Sequence, residues 1–246
     1  MAITEFSLGH SWIHRLDPRV KISAAVVFSM VVALGQSVSG SAVALIFPLA
    51  IVVAARVSLT KVLARLAFVN GFVLFLWCVL PLTVLGEAVY SFGAIGISRE
   101  GVHQAFLITL KANAILLTMI AMLGTSPVFS LVHALSHMGV PDKLVHLFFL
   151  SFRYVHLIHE EYHRLSRAMK VRGFRPRTSL HTYRTYAYLL GMLLVRSFDR
   201  SKRILAAMKC RGFRGNFHTV QDYAIQKGDY VLAAAGLLCS LAVVAV

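Results

Sequence analysis

Five long apolar segments constrain what this chain can fold into. A transmembrane helix needs about 20 predominantly apolar residues, within a range of about 17–25. The segments therefore predict a polytopic, all-α membrane protein with about five transmembrane helices, of which the first two are short. A hydrophobic content of 58% and a mean hydropathy of +0.73 exclude an ordinary soluble domain. The segments cover residues 20–36, 41–55, 66–85, 102–123 and 230–246.

Positive charge is concentrated in the one long stretch between these segments. The chain has 25 basic and 10 acidic residues, and 17 of the basic ones lie in residues 125–228. Basic segments of membrane proteins stay in the cytoplasm. This predicts a multi-pass protein of the cell membrane, with residues 125–228 and the N-terminus in the cytoplasm. The predicted organisation is a transmembrane domain over 1–124, a cytoplasmic domain over 125–228 and a final transmembrane helix over 229–246.

The cytoplasmic stretch contains an eight-residue repeat. Residues 168–175 read AMKVRGFR and residues 207–214 read AMKCRGFR, so seven of eight positions are identical. The pattern predicts two helices of about 30 residues over 142–172 and 180–211, each ending at a repeat, with a short amphipathic helix over 127–138 before them. Gly173 and Gly212 stand where a left-handed residue would end each helix.

Each repeat places an alanine and an arginine four residues apart, and therefore on one helix face. One interpretation is that both helices lie on anionic lipid, to which each basic residue contributes about 1 kcal/mol. The other is that each helix end inserts into a groove of a protein, where the alanine allows close contact and the arginine pairs with a carboxylate. Two equivalent ends then indicate two equivalent partners. The candidate docking residues are Ala168, Arg172, Gly173, Ala207, Arg211 and Gly212.

The paired repeats resemble those of the transmembrane T component of energy-coupling-factor (ECF) transporters, most closely the CbiQ branch of cobalt uptake. The entry into the first span adds to the resemblance, and it reads Leu16-Asp17-Pro18-Arg19-x-Lys21. The resemblance implies a non-catalytic subunit whose two coupling helices dock on two cytosolic ABC-type ATPases. ATP and Mg²⁺ would belong to those ATPases, and no cofactor to this chain. A separate substrate-binding membrane subunit, CbiM-like, is implied as well, and a small accessory membrane subunit is a further candidate partner.

A second motif indicates a different function. Residues 159–163 read HEEYH and match H-E-x-x-H, in which His159 and His163 would bind zinc and Glu160 would activate water. A membrane zinc metalloprotease is therefore the alternative hypothesis. The basic surroundings disfavour a dication, and the competing interpretation is that Glu160 and Glu161 pair with nearby arginines such as Arg164.

Three further features have weaker implications. His133 and His137 are four residues apart on the predicted amphipathic helix and could bind a metal. Lys111 lies inside the fourth span, where it could reach the membrane surface, pair with a carbonyl or face a partner. The chain contains no G-x-x-x-x-G-K-[ST] phosphate loop and no nucleic-acid-reading domain, so neither ATP binding by that loop nor nucleic-acid binding is expected.

Overall fold

The computed structural model describes residues 13, 16–55, 58–84, 88–92, 95–213 and 227–245. This part of the chain is helical apart from one short hairpin, which confirms the predicted fold class. The predicted helices all form, and each of the five apolar segments begins two or more residues inside its helix, the third by seven residues. The helices are α1 Pro18–Leu34, α2 Val38–Ala54, α3 Leu59–Thr83, α4 Arg99–Met122, α5 Val128–His137, α6 Asp142–Val171, α7 Leu180–Cys210 and α8 Lys227–Ala245.

The loop predicted between the third and fourth spans contains a two-stranded antiparallel sheet. Strand β1, Ala88–Phe92, pairs with β2, Ile95–Ser98. Arg99 and Glu100 lie before the fourth apolar segment, which begins at residue 102, and form the first turn of α4. The helix begins there because the hydroxyl of Ser98 accepts a hydrogen bond from the Gly101 N–H at 2.9 Å, which caps the helix.

The described chain divides into two units. The first contains α1 to α5, the hairpin and α8, with α1, α2, α4 and α8 packed around a common core. Glycines permit the closest approaches: a Cβ on Gly40 would lie 2.7 Å from the Val243 carbonyl oxygen of α8. The amphipathic helix α5, predicted as part of the cytoplasmic domain over 125–228, packs on α1 in this unit.

Three helices of the first unit are long and apolar enough to cross a membrane: α3, α4 and residues Gly228–Ala245 of α8. Helices α1 and α2 have 17 residues each, so the number of five spans remains a prediction. Helix α3 exposes large apolar side chains, including 86% of Phe68. Such a surface is expected where a helix faces lipid or another membrane protein.

Two polar groups inside the spans have defined partners. The ammonium group of Lys111 donates to the carbonyl oxygen of Ala33 at 3.0 Å, one of the last carbonyls of α1. The last carbonyl oxygens of a helix have no N–H partner within it and form the negative end of its dipole. A cation is therefore favourable there. Asn70 of α3 and Asn113 of α4 exchange hydrogen bonds of 3.0 Å. Of the options for Lys111, the structure therefore shows pairing with a carbonyl.

The second unit contains α6 and α7, with 30 and 31 residues. Ser179 caps the start of α7, where its hydroxyl accepts from the Thr182 N–H at 3.4 Å. The two helices pack on each other, and both end at a copy of the repeat.

Candidate docking site

Helix α6 ends in a Schellman motif built by the first repeat. Gly173 has φ of +80°. Its N–H donates to the Lys170 carbonyl at 3.0 Å, and the Phe174 N–H donates to the Met169 carbonyl at 3.1 Å. These two bonds satisfy carbonyls that have no partner within the helix. The predicted left-handed glycine at this position is confirmed.

Helix α7 ends in the same way at the second repeat. Gly212 has φ of +79°. Its N–H donates to the Lys209 carbonyl at 3.0 Å, and the Phe213 N–H donates to the Met208 carbonyl at 3.0 Å. The nearly identical sequences of the two repeats thus form the same backbone geometry at the ends of both helices. We call residues 168–174 the α6 tip and residues 207–213 the α7 tip.

The tips also share a pattern of exposure. The methionine and phenylalanine of each tip are half-buried, so they pack the tip against the rest of the unit. The predicted docking residues are all exposed and leave an alanine, an arginine and a glycine free to contact another molecule: Ala168, Arg172, Gly173, Ala207, Arg211 and Gly212.

The tips lie at opposite ends of an antiparallel helix pair. The ring of Phe174 packs on Tyr186, near the start of α7, with centroids 5.7 Å apart. At the other end, Met208 and Phe213 line a cavity of 930 Å³ together with His146, near the start of α6. Since Tyr186 and Arg211 are 25 residues apart along α7, the tips are separated by roughly 38 Å. Two partners could therefore be bound at once.

An ion cluster joins α6 to α7 between the tips. Glu161 of α6 is 8% exposed and accepts a hydrogen bond from Arg196 of α7. Its second oxygen lies 3.9 Å from Arg200 of α7 and 3.6 Å from Arg164 of α6. The hydrogen bond from Arg196, helped by the charges of the three guanidinium groups, lowers the pKa of Glu161 below its ordinary value of 4.5. The carboxylate is thus ionised at neutral pH and links the two helices.

A second polar cluster explains the N-terminal motif. Asp17 caps α1, with its carboxylate accepting from the Arg19 N–H at 2.9 Å, and Pro18 is the first helical residue. The Asp17 N–H donates to the Asp229 carboxylate at the start of α8 at 2.8 Å. Lys21 is completely buried and donates to the Ser126 hydroxyl at 2.9 Å. The motif therefore joins the starts of α1 and α8 to the segment before α5.

Comparison with known proteins assigns the family. A family model described as the cobalt transport protein CbiQ matches residues 9–221. The match includes the N-terminal motif, both long helices and the described parts of both tips. The chain belongs to the CbiQ family.

Relatives of this CbiQ-family chain are ECF transporter transmembrane proteins named EcfT. The protein from Thermosediminibacter oceani is 25% identical over 244 residues, which cover 95% of this chain and 92% of that protein. The Listeria innocua protein is 27% identical, and 87% of this chain and 85% of that protein are covered. The Bacillus subtilis protein is 26% identical with the same coverages. These proteins are membrane components of a transporter and not enzymes, and this chain is a transporter membrane component of the same family.

The HEEYH stretch of this CbiQ-family chain, residues 159–163, lies within α6. Glu161 is engaged by three arginines, two of which come from α7 and not from its own helix as the sequence suggested. Among the residues that the structure describes, no group of three or more histidine, cysteine or carboxylate side chains could bind a metal ion. No observation on the described residues favours the protease hypothesis.

Sequence reasoning missed two parts of the site. The Glu161 contacts with α7 join residues 35 apart, and the Asp17–Asp229 bond joins residues 212 apart. A signal was present for the polar cluster around Asp17 and Asp229: Lys21 lies in the first turn of an apolar helix and needs a partner there, because a buried charge without one is costly. The sequence alone does not say which of the ten acidic residues supplies it.

Proposed function

We propose that this chain is the T component of an ECF-type importer and couples two cytosolic ATPases to a separate substrate-binding membrane subunit. In this role it performs no chemistry itself. It converts motion of the ATPases into motion of the membrane subunits. Cobalt ion is the proposed substrate, in line with the description of the matching family.

The duplicated tip carries this proposal. Arg172 directly follows the last residue of α6, and Arg211 directly follows the last residue of α7. The same turn follows each arginine, and both side chains are exposed. An arginine there can make a bidentate pair with a carboxylate on a partner. The exposed Ala168 and Ala207, one turn earlier, let the backbone of each helix approach the partner closely. Equivalent geometry at both ends fits two copies of one partner, or two related partners.

The helix pair suits the transmission of force. A continuous helix of 30 residues is a stiff rod about 45 Å long. When the ATPases close on ATP, they would carry the two tips toward each other. The Glu161 contacts lie between the tips, so displacement of one tip would turn its helix against the other. That relative motion would be passed to the membrane subunits.

Transport assays on tip variants test the proposal. Arg172→Glu and Arg211→Glu each replace a cation with an anion and should abolish ATP-driven cobalt uptake by the assembled importer while the chain stays in the membrane. The double variant should also fail to retain the ATPases in a pull-down from solubilised membranes. Arg172→Lys with Arg211→Lys should lower uptake too, because lysine lacks the bidentate fork.

Neighbouring lysines provide the matched control. Lys170 and Lys209 are exposed and occupy equivalent positions in the two repeats. Lys170→Glu with Lys209→Glu changes the net charge by the same amount as the double arginine variant. Docking in grooves predicts that the lysine variant retains uptake. If both double variants lose uptake equally, or if the arginine variant transports normally, the lipid-binding interpretation replaces this proposal.

A further inference from the structure

The proposed coupling role does not use a histidine pair on α6. The Nε2 atoms of His159 and His163 lie 3.0 Å apart, and both side chains are exposed. Their rings meet edge to face, with centroids 4.4 Å apart. The four-residue spacing produces this arrangement, because residues i and i+4 lie one above the other on a helix.

The distance between the two nitrogens matches a metal chelate. Zinc binds imidazole nitrogen at about 2.0–2.1 Å. Two nitrogens at that distance from one ion, at an angle between 90° and the tetrahedral value, are about 2.9–3.4 Å apart. The observed 3.0 Å falls in this range. Each histidine would bind through the lone pair of Nε2 and carry its proton on Nδ1, and the remaining coordination positions are open to water.

The pair is accessible because it lies away from α7. One residue of an α-helix corresponds to a rotation of about 100°. His159 and His163 are each two residues from Glu161, so both lie on the face roughly opposite the carboxylate that contacts α7. Arg164 points toward Glu161, at 3.6 Å, and part of its charge is neutralised there. Arg167 lies one turn beyond His163 on the same face of α6, and its Nε donates to the His163 carbonyl oxygen at 3.4 Å.

The second histidine pair of the chain differs in its surroundings. His133 and His137 have the same spacing on α5, and their ring centroids are 4.7 Å apart. His133, however, is only 9% exposed and its Nε2 is buried. An ion at Nε2 would have to displace the packing around α5, whereas an ion at the α6 pair displaces water and the proton between the two Nε2 atoms, while each ring keeps a proton on Nδ1.

We propose that His159 and His163 form an exposed two-histidine site for a divalent late first-row transition-metal ion. Imidazole suits cobalt, nickel, copper and zinc ions, whereas magnesium and calcium require oxygen ligands. A bound ion bridges consecutive turns of α6 and holds them in the helical conformation. The site begins thirteen residues before Arg172 on the same helix, so metal on the cytoplasmic side would stiffen the segment that leads to the α6 tip. This proposal is independent of what the tips bind.

Calorimetric titration of the purified full-length chain with NiCl₂ tests the site. The protein must carry no histidine tag, because the tag itself binds nickel. Wild type should bind one equivalent of Ni²⁺ that His159→Ala and His163→Ala each lose. His137→Ala should keep that equivalent and serves as the matched control. Arg167→Gln removes a cation from the same face of α6 and should tighten the binding.

A spectroscopic measurement identifies the ligands directly. Electron paramagnetic resonance of the Cu²⁺-loaded chain should show hyperfine structure from two imidazole nitrogens, reduced to one or none in His159→Ala. The proposal is overturned if the His159 and His163 variants bind as much Ni²⁺ as wild type with the same affinity. It is equally overturned if His137→Ala removes the same equivalent. Neither result bears on whether the tips bind ATPases.

Discussion

Two glycines set the direction in which each tip presents its arginine. Gly173 and Gly212 have φ near +80°, and a Cβ built on either meets no atom within 4 Å. The requirement for glycine is therefore conformational and not steric. A residue with a Cβ pays about 1–2 kcal/mol to adopt this conformation. Alanine would fit the space at both positions and still disfavour the turn.

Alanine substitution should therefore destabilise the folded chain at a tip glycine and stabilise it at a glycine inside a helix. Gly173→Ala and Gly212→Ala should each destabilise the folded chain by about 1 kcal/mol. Gly191 is exposed within α7 and also has open space around its Cβ position. Gly191→Ala should stabilise α7 by about 0.8–1 kcal/mol, because alanine is the better helix former. Thermal unfolding in detergent followed by circular dichroism distinguishes the two. Equal effects at all three glycines would contradict the backbone argument.

The tips could be predicted from sequence because their decisive contacts are local. Each Schellman motif joins residues three to five apart, and glycine at its left-handed position is a strong signal in the sequence. Helix α1 could be predicted for the same reason, since Asp17 and Pro18 act on their own neighbours. The surroundings of Lys21 could not be predicted, because its burial depends on helices that meet only in the folded unit.

At the scale of the elements, Glu161 links α6 to α7. A carboxyl whose pKa is lower in the folded than in the unfolded chain stabilises the fold at pH values above its unfolded pKa. That stabilisation is lost as the pH falls through the folded value. Because the pKa of Glu161 lies below 4.5, its contribution is complete at neutral pH and disappears only in more acidic solution.

Glu161→Gln should thus weaken the pairing of α6 and α7 at neutral pH and make little difference in acid. Hydrogen exchange, corrected for intrinsic rates, should show several-fold lower protection around Arg196 in the variant at pH 7. The difference from wild type should shrink well below pH 4.5. Glu160→Gln is the matched control, since Glu160 is the exposed neighbour on the same helix. Equal loss of protection in both variants, or a pH-independent difference, would refute the role given to Glu161.

The ends of the long helices could be predicted from the sequence more accurately than the contacts between them. Periodicity and capping residues placed α6 and α7 to within a residue of their observed ends. The paired strands over residues 88–92 and 95–98 were missed, because strands of five and four residues give little alternation to recognise. Arg164 was a local candidate partner for Glu161, whereas Arg196 and Arg200 reach it only because the helices are antiparallel.

At the scale of the whole molecule, the buried polar cluster brings the two ends of the chain together. Asp17 is 2% exposed, Asp229 1% and Lys21 0%. Both carboxylates attract the Lys21 ammonium group electrostatically. The cluster joins α1 to α8, which are separated by most of the sequence. Removing one member would leave a buried charge without compensation. This costs more than replacing the whole cluster by well-packed apolar side chains.

Lys21→Met should accordingly destabilise the first unit by about 3–5 kcal/mol, because it leaves the buried carboxylates of Asp17 and Asp229 without the nearby ammonium charge. Adding Asp229→Asn should recover part of that loss, because the amide oxygen can still accept the Asp17 N–H while one uncompensated charge disappears. Lys111→Met serves as a control and should cost less, since Lys111 is only half-buried and makes one hydrogen bond to a helix end. Thermal unfolding of wild type, Lys21→Met, Asp229→Asn and the double variant gives a double-mutant cycle, and Lys111→Met is measured beside it. An additive cycle would mean that Lys21 and Asp229 do not stabilise each other. A positive coupling of more than about 1 kcal/mol would show that the N-terminal motif anchors α8 through charge.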